Sequence, residues 1–207
     1  MSTVDTIQDA VMVEMLRGQF APGSWVRQDQ LAKRLGVSKI PVREALQRLA
    51  AIGLLRFEPN RGVVVPTLSV AEAAENYALR SAIEPVLLAQ AMPNLSIVDL
   101  AEAELALTRS DLSLTEANWA FHHALYRTSR WDRGLAMTQV LHAAVAPYVL
   151  LYTEGLGGAQ NSSDEHLAML DACRNRHVDQ AVNLLAQHLD GAAAALHHYL
   201  LHRDSDS

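Results

Sequence analysis

Along the first third of the chain, apolar positions recur at helical spacing and then give way to short β-prone runs. Ile7, Val11 and Met15, with Leu16 beside them, share one face of a helix expected over residues 4–17. Ala21-Pro22-Gly23-Ser24 interrupts it. A short second helix reads from Gln28 through Leu31 and Leu35 to Gly36, a residue suited to the left-handed position after a helix. Val37 and Ser38 make the turn. Ser38 offers an N-cap, and Pro41 falls in the first turn of a third helix, where its missing N–H costs nothing. That helix continues through Val42, Ala45, Leu46 and Leu49 to Ile52, and Gly53 ends it. Residues 54–57 and 63–66 are extended runs around the turn Glu58-Pro59-Asn60-Arg61-Gly62, which reads as a hairpin. In this order the elements predict a winged helix-turn-helix, a fold whose third helix enters the DNA major groove.

After Pro66-Thr67 the pattern is helical throughout. Ser69, Ser96, Thr115 and Ser163 are candidate N-caps, and breaks fall at Pro93, Ser110 to Ser113, Ser129-Arg130 and Gly155 to Asn161. Six helices are expected, at 69–91, 96–109, 115–129, 132–153, 163–175 and 178–202. Their amphipathic faces predict an antiparallel all-α bundle. The fold class is therefore mainly α: a winged helix-turn-helix over 1–67 and a helical domain over 68–207. The alanine-rich run 191–195 reads as helix core or close-packing surface.

Charge supports the same division. Residues 1–67 hold 9 of the 17 Lys+Arg and 6 of the 23 Asp+Glu, giving +3, so the remainder carries 8 and 17, giving −9. All nine histidines lie in the second part, beginning at His122. A basic module joined to an acidic, histidine-bearing one suits a nucleic-acid reader with an attached sensor, because phosphate neutralisation supplies most nonspecific affinity. The single Cys173 has no disulfide partner in the chain and reads as a helical core residue. Neither a signal peptide nor a membrane span is visible, so a soluble cytoplasmic protein is expected.

The candidate chemistry lies in the helical part. Asn118 and His122 are four residues apart and project from one helix face. His166 lies one turn into the expected fifth bundle helix, and His188 falls on the inward stripe of the sixth. Three imidazoles and a carbonyl oxygen would suit Zn, Ni, Mn or Fe with positions left open. From the residues alone, hydrogen-bonded core histidines are the simpler reading. His198 and His202 form a competing i,i+4 pair near the chain end, where a surface role is the simpler reading.

The run LAKRLGVSKIPVREALQRLAAIGLL followed by PNRGVVV resembles the DNA-binding domain of the GntR family of bacterial repressors. The resemblance implies that Ser38, Lys39, Ile40 and Arg43 face DNA and that Asn60, Arg61 and Gly62 of the wing reach the minor groove. The chemistry agrees: Arg43 offers a planar fork, Lys39 a mobile cation, and Gly62 a close backbone approach. One position departs from the family pattern. An arginine is common ten residues before Lys39, and here Asp29 stands there; either Arg27 substitutes for it or that phosphate contact is absent.

NWAFHHALY and SSDEHLAMLDACRNRHVDQAVNLLAQHL resemble the FCD domain of the FadR subfamily, and six helices point to its shorter, VanR-like group. The resemblance implies a divalent metal, Zn first among the candidates, held by Asn118, His122, His166 and His188; the neutral Asn118 departs from the commoner Asp. It also marks Leu79-Arg80-Ser81-Ala82-Ile83-Glu84-Pro85 as the family's first-helix signature. Arg80 is then a candidate clamp for a carboxylate effector, against the alternative of a structural i,i+4 pair with Glu84. The functional expectation is a homodimeric repressor of a palindromic operator, released by a small organic acid through Pro66-Thr67. Its rivals are a repressor with a structural or absent metal, and a helical-bundle metallohydrolase.

Overall fold

In the computed structural model, residues 2–16, 19–51, 54–58, 61–156 and 159–203 are described. Helix α1 (Thr3–Leu16) turns Ile7, Val11, Met12 and Met15 inward. Helices α2 (Gln28–Leu35) and α3 (Lys39–Ala51) follow, separated by the expected turn. Gly36 closes α2 at φ 66°, with its N–H directed at the carbonyls of Ala32 and Lys33. Only a residue without Cβ takes this conformation freely.

A strand not expected from the sequence, β1 (Trp25–Val26), precedes α2. Two residues are too few to show alternation, and the strand exists because it pairs with β3. Strands β2 (Arg56–Glu58) and β3 (Gly62–Val64) form the wing, and the sheet order is β1-β3-β2 with both pairings antiparallel. The central position of β3 explains the apolar run Val63-Val64-Val65, all buried. The first wing strand begins later than residue 54. The N–H groups of Leu54 and Leu55 both reach the carbonyl of Leu49, and their side chains are spent closing the core beneath α3.

Six helices make up the remainder: α4 (Val70–Ala91), α5 (Ile97–Thr108), α6 (Leu114–Tyr126), α7 (Asp132–Leu156), α8 (Ala159–Arg174) and α9 (Val178–Arg203). Ser69 with Glu72 and Ser96 with Asp99 form reciprocal capping boxes. The cap of α6 is Ser113, not Thr115. Ser113 has Glu116 three residues on and completes a box, whereas the same offset from Thr115 is Asn118. The regular helix also stops at Tyr126, and residues 127–129 tighten into a 3-10 turn that ends at Arg130 with φ 58°. Ser163 is no cap either, because α8 begins at Ala159. Asn161-Ser162-Ser163 fall in its first two turns, near the helix end where short polar residues cost less than in a helix interior.

Three cores result. The first holds α1, α2, α3 and the sheet, and it is completed by Ala143 and Ala146 of α7, with Trp119, Val140 and Ala144 packed against it. The second joins residues of α4, α5, α6, α8 and α9, including Leu87, Phe121, Leu170 and Leu189. It contains Cys173, whose thiol is pushed up to about 12 by burial. The third places Tyr77 of α4 against Val145 of α7 and Leu196 and Leu200 of α9. Helix α7 thus contributes to both the winged-helix core and the bundle. Among the described residues no helix is long and apolar enough to cross a membrane.

Candidate functional site

Helix α6 aligns Asn118, His122 and Tyr126 at four-residue intervals on its inner face, and α7, α8 and α9 bring His142, His166 and His188 to it. His122, His166 and His188 are buried, and one nitrogen from each lies within 4.8 Å of the others. His166 Nε2 is 3.3 Å from His122 Nε2. The sequence-expected triad is therefore brought together. Asn118 lines the same cavity, with its amide nitrogen 3.4 Å from His142 Nδ1.

Beneath the triad is Glu84 of α4, with no exposed surface. Its Oε1 accepts from Arg80 Nε at 2.7 Å, and its Oε2 accepts from the Tyr126 hydroxyl at 2.9 Å. Tyr126 in turn lies 3.0 Å from His122 Nδ1. Burial alone would raise the Glu84 carboxyl, but Arg80 and His142 together hold it well below the usual carboxylate range. Burial beside Glu84 holds the Tyr126 phenol well above its ordinary value, so it stays protonated. His142 Nε2 sits between a donor and an acceptor, 2.9 Å from Arg80 Nη2 and 3.2 Å from Glu84 Oε1.

The electrostatics keep the imidazoles neutral. Burial, reinforced by neighbouring imidazoles, lowers His122 well below its ordinary value and takes His166 to about 3. Burial and Arg80 lower His142 to about 4. Burial also lowers His188, against the pull of Glu165, whose Oε2 is 2.7 Å from His188 Nδ1. Three neutral imidazoles already within one coordination radius fit a divalent ion, because no proton has to be displaced from them at neutral pH.

The cavity in front of these groups has a volume of about 100 Å³ and is lined by Tyr77, Arg80, Asn118, His142, His166 and His188, with Val145, Ala146 and Val149 as apolar wall. At about 10–15 Å³ per water, it holds several waters or a small acid. Arg80 reaches the cavity but is 3% exposed, paired with Glu84 and His142 and stacked over the Tyr77 ring at 4.9 Å. Its i,i+4 pairing with Glu84 is thus present together with its cavity position. His198 and His202 stack on each other at 4.1 Å on exposed α9, away from the triad.

On the winged-helix unit, Arg27, Ser38, Lys39, Ile40, Arg43 and Arg61 are exposed, Ile40 by 79%, and Gly62 at the wing turn adopts φ 116°. Asn60 lies outside the described residues. Acids hold Arg34, Arg48 and Arg56, through Glu14, Asp5 with Glu44, and Glu58 respectively. Glu44 is therefore engaged by Arg48 and not by Arg43. Arg27, Arg43 and Arg61 make no ion pair among the described residues, whereas Lys39 is bridged to Asp29.

Sequence reasoning missed His142, Tyr126 and the central role of Glu84. For His142 a signal exists, since residues 134–153 contain no Asp, Glu, Lys or Arg and this is their one histidine. For Tyr126 the signal is that it repeats the four-residue spacing of Asn118 and His122.

A winged helix packed on an all-helical domain with a buried histidine cavity defines a two-part protein of the DNA-binding regulator class. The GntR profile of bacterial regulatory proteins matches residues 3–65 and the FCD domain profile matches residues 75–191. The chain belongs to the GntR family and carries an FCD domain, a family of regulators and not of enzymes. It is 33% identical over 102 residues to the HTH-type transcriptional regulator YdhC of Bacillus subtilis, a match covering 49% of this chain and 43%, less than half, of that relative. The HTH-type transcriptional repressor RspR of Escherichia coli is 25% identical, over 82% of this chain and 78% of its own. The fold is that of Escherichia coli McbR/YncC, with TM-score 0.84 at 23% identity, covering 96% of this chain and 99% of that one.

Proposed function

We propose that this protein is a cytoplasmic transcriptional repressor that binds a palindromic operator as a homodimer and is controlled by a small carboxylate effector at a divalent metal. The observation that carries this reading is the convergence of His122, His166 and His188 from three helices, beside a cavity that His166 and His188 line together with Asn118 and Arg80. RspR, a relative named as a repressor, supports the sign of regulation.

In this reading the three imidazoles and Asn118 hold the ion, with zinc the first candidate and Ni, Mn or Fe the others. When bound, the ion supplies a Lewis-acidic anchor for an effector oxygen. Arg80, which lines the same cavity, offers guanidinium N–H donors to the effector carboxylate, and Val145, Ala146 and Val149 exclude water from the apolar part of the acid. Helix α7 carries His142 and Ala146 to the cavity while Ala143 and Ala146 complete the winged-helix core. A ligand that shifts α7 therefore changes the seat of α1 directly, a shorter route than Pro66-Thr67. A coupling of about 1–3 kcal/mol is enough for regulation. On DNA, Arg27, Ser38, Lys39, Ile40, Arg43, Asn60, Arg61 and Gly62 make the contacts, with the unpaired arginines as the main phosphate or guanine partners.

Elemental mass spectrometry of the purified protein, with His122→Ala and His188→Ala beside it, tests the reading. About one metal per chain is expected, lost in both variants while circular dichroism shows the fold retained. No metal after loading would overturn the sensor. A second reading, a structural metal with no effector, is favoured by the full engagement of Arg80 with Glu84 and His142. No carboxylate binding by the zinc-loaded protein, with a fold that is lost when the metal is removed, would support it.

A further inference from the structure

The two nitrogens of His122 face different surroundings, and only one arrangement of protons satisfies all of them. Glu84 is fully buried and salt-bridged to Arg80 at 2.7 Å, so it is an ionised, acceptor-only group. The Tyr126 hydroxyl at 2.9 Å must therefore donate to it. A hydroxyl that has given its one proton to Glu84 can only accept from its other neighbour, His122 Nδ1 at 3.0 Å. Nδ1 must then carry the imidazole proton, and Nε2 is left with a bare lone pair. That lone pair points into the triad, where His166 Nε2 lies 3.3 Å away. On the opposite side of the triad His188 Nδ1 faces Glu165 at 2.7 Å, so the same logic turns His188 Nε2 inward.

We infer that Glu84 and Tyr126 are positioning residues: the Glu84–Tyr126–His122 relay fixes His122 as the Nδ1–H tautomer and presents its Nε2 as a ready metal donor. This deepens the metal-sensor reading and rests on it. The relay links the helix-α4 signature, which also carries Arg80, to the metal-binding face of α6. Glu84 thus neutralises the arginine and sets the donor atom at the same time. Outer hydrogen bonds of this kind typically change metal affinity by about 10–100-fold.

The test is long-range 1H–15N correlation NMR of the metal-free protein, labelled with 15N-histidine, beside zinc affinity measured by competition with a chromophoric chelator, for wild type and Tyr126→Phe. The expected result is a His122 Nδ1–H tautomer in wild type, its loss in Tyr126→Phe, and roughly 10–100-fold weaker zinc retention by that variant. Leu100→Ala, which removes side-chain volume from the bundle core without touching the relay, should keep both the tautomer and the zinc affinity. A wild-type Nε2–H tautomer overturns the inference without recourse to any variant. Equal zinc affinity in wild type and Tyr126→Phe also overturns it. The expected tautomer with no zinc retained by either protein overturns the metal reading, and with it the relay's service to a metal, so the two failures are distinguishable.

Discussion

Lys39 Nζ lies 2.8 Å from Asp29 Oδ1, tying the first residue of α3 to the first turn of α2 across the helix-turn-helix. Both side chains are more than half exposed, so the pair itself is worth at most about 1 kcal/mol and a phosphate can displace Asp29 from Lys39. The acid nevertheless remains on the face proposed to meet DNA. Asp29→Asn should raise affinity for any duplex several-fold and steepen the dependence of log affinity on log salt by up to about 0.9. Fluorescence anisotropy across a salt titration measures both. Unchanged affinity and slope would mean that the start of α2 stays clear of the backbone.

Gly36 takes φ 66° with nothing within 4 Å of where a Cβ would stand. The cost of Gly36→Ala is therefore conformational and not steric, about 1–2 kcal/mol for a left-handed L-residue. Gly36→Asn should lose less, because asparagine tolerates this conformation. Urea melts of the three proteins should rank them Gly, Asn, Ala. An Ala variant as stable as wild type would show that the turn can relax away from the left-handed geometry.

The order of elements was readable because helical periodicity and turn chemistry agree over most of the chain. Ile7, Val11 and Met15 mark one buried stripe, and Gly36 marks a forced backbone conformation. The triad's members could be named from their helix faces, but their convergence rested on family resemblance, since nothing in the spacing of His122, His166 and His188 says that three helices meet. His142 and Tyr126 escaped because their importance lies in hydrogen-bond partners 62 and 42 residues away in the chain, Arg80 and Glu84. Strand β1 escaped because its two residues are extended by their pairing and not by their own pattern. The packing of α1 on α7 is likewise invisible locally: Ala143 and Ala146 look like ordinary bundle alanines, yet they complete the winged-helix core.

Arg80 and Glu84 are 3% and 0% exposed, so removing the guanidinium alone leaves a buried carboxylate without its main counterion. Arg80→Met should cost about 3–5 kcal/mol, and Arg80→Met with Glu84→Met should recover part of it. The pH dependence changes sign. In wild type the depressed Glu84 carboxyl contributes stability that is present above its unfolded value of 4.5 and lost as pH falls through its folded value. In Arg80→Met desolvation is no longer outweighed, and a raised carboxyl contributes stability that is lost as pH rises. The deficit of Arg80→Met should therefore be larger at pH 8 than at pH 5 by urea denaturation. A deficit independent of pH would mean that Glu84 stays ionised without Arg80, held by its hydrogen bonds to Tyr126 and His142.

Trp119 follows Asn118 on α6, packs against the winged-helix core and stacks 5.0 Å from the His142 ring. It therefore touches both the candidate site and the unit that would read DNA. A second route beside the α7 shift would then run from the filled triad through His142 and Asn118 to Trp119, and from it to the core closed by Ala143 and Ala146. Trp119→Leu keeps an apolar side chain but removes the ring that spans the two. It should retain one zinc per chain and bind operator in the metal-free state about as wild type does. The ratio of operator affinities between zinc-loaded and metal-free protein should shrink by about 0.5–2 kcal/mol, the range by which residues along a coupling route act. Operator titrations of both proteins, with and without zinc, measure it. An unchanged ratio would remove Trp119 from the route and leave the α7 alanines to carry it, and a variant that loses zinc would move Trp119 into the support of the site itself.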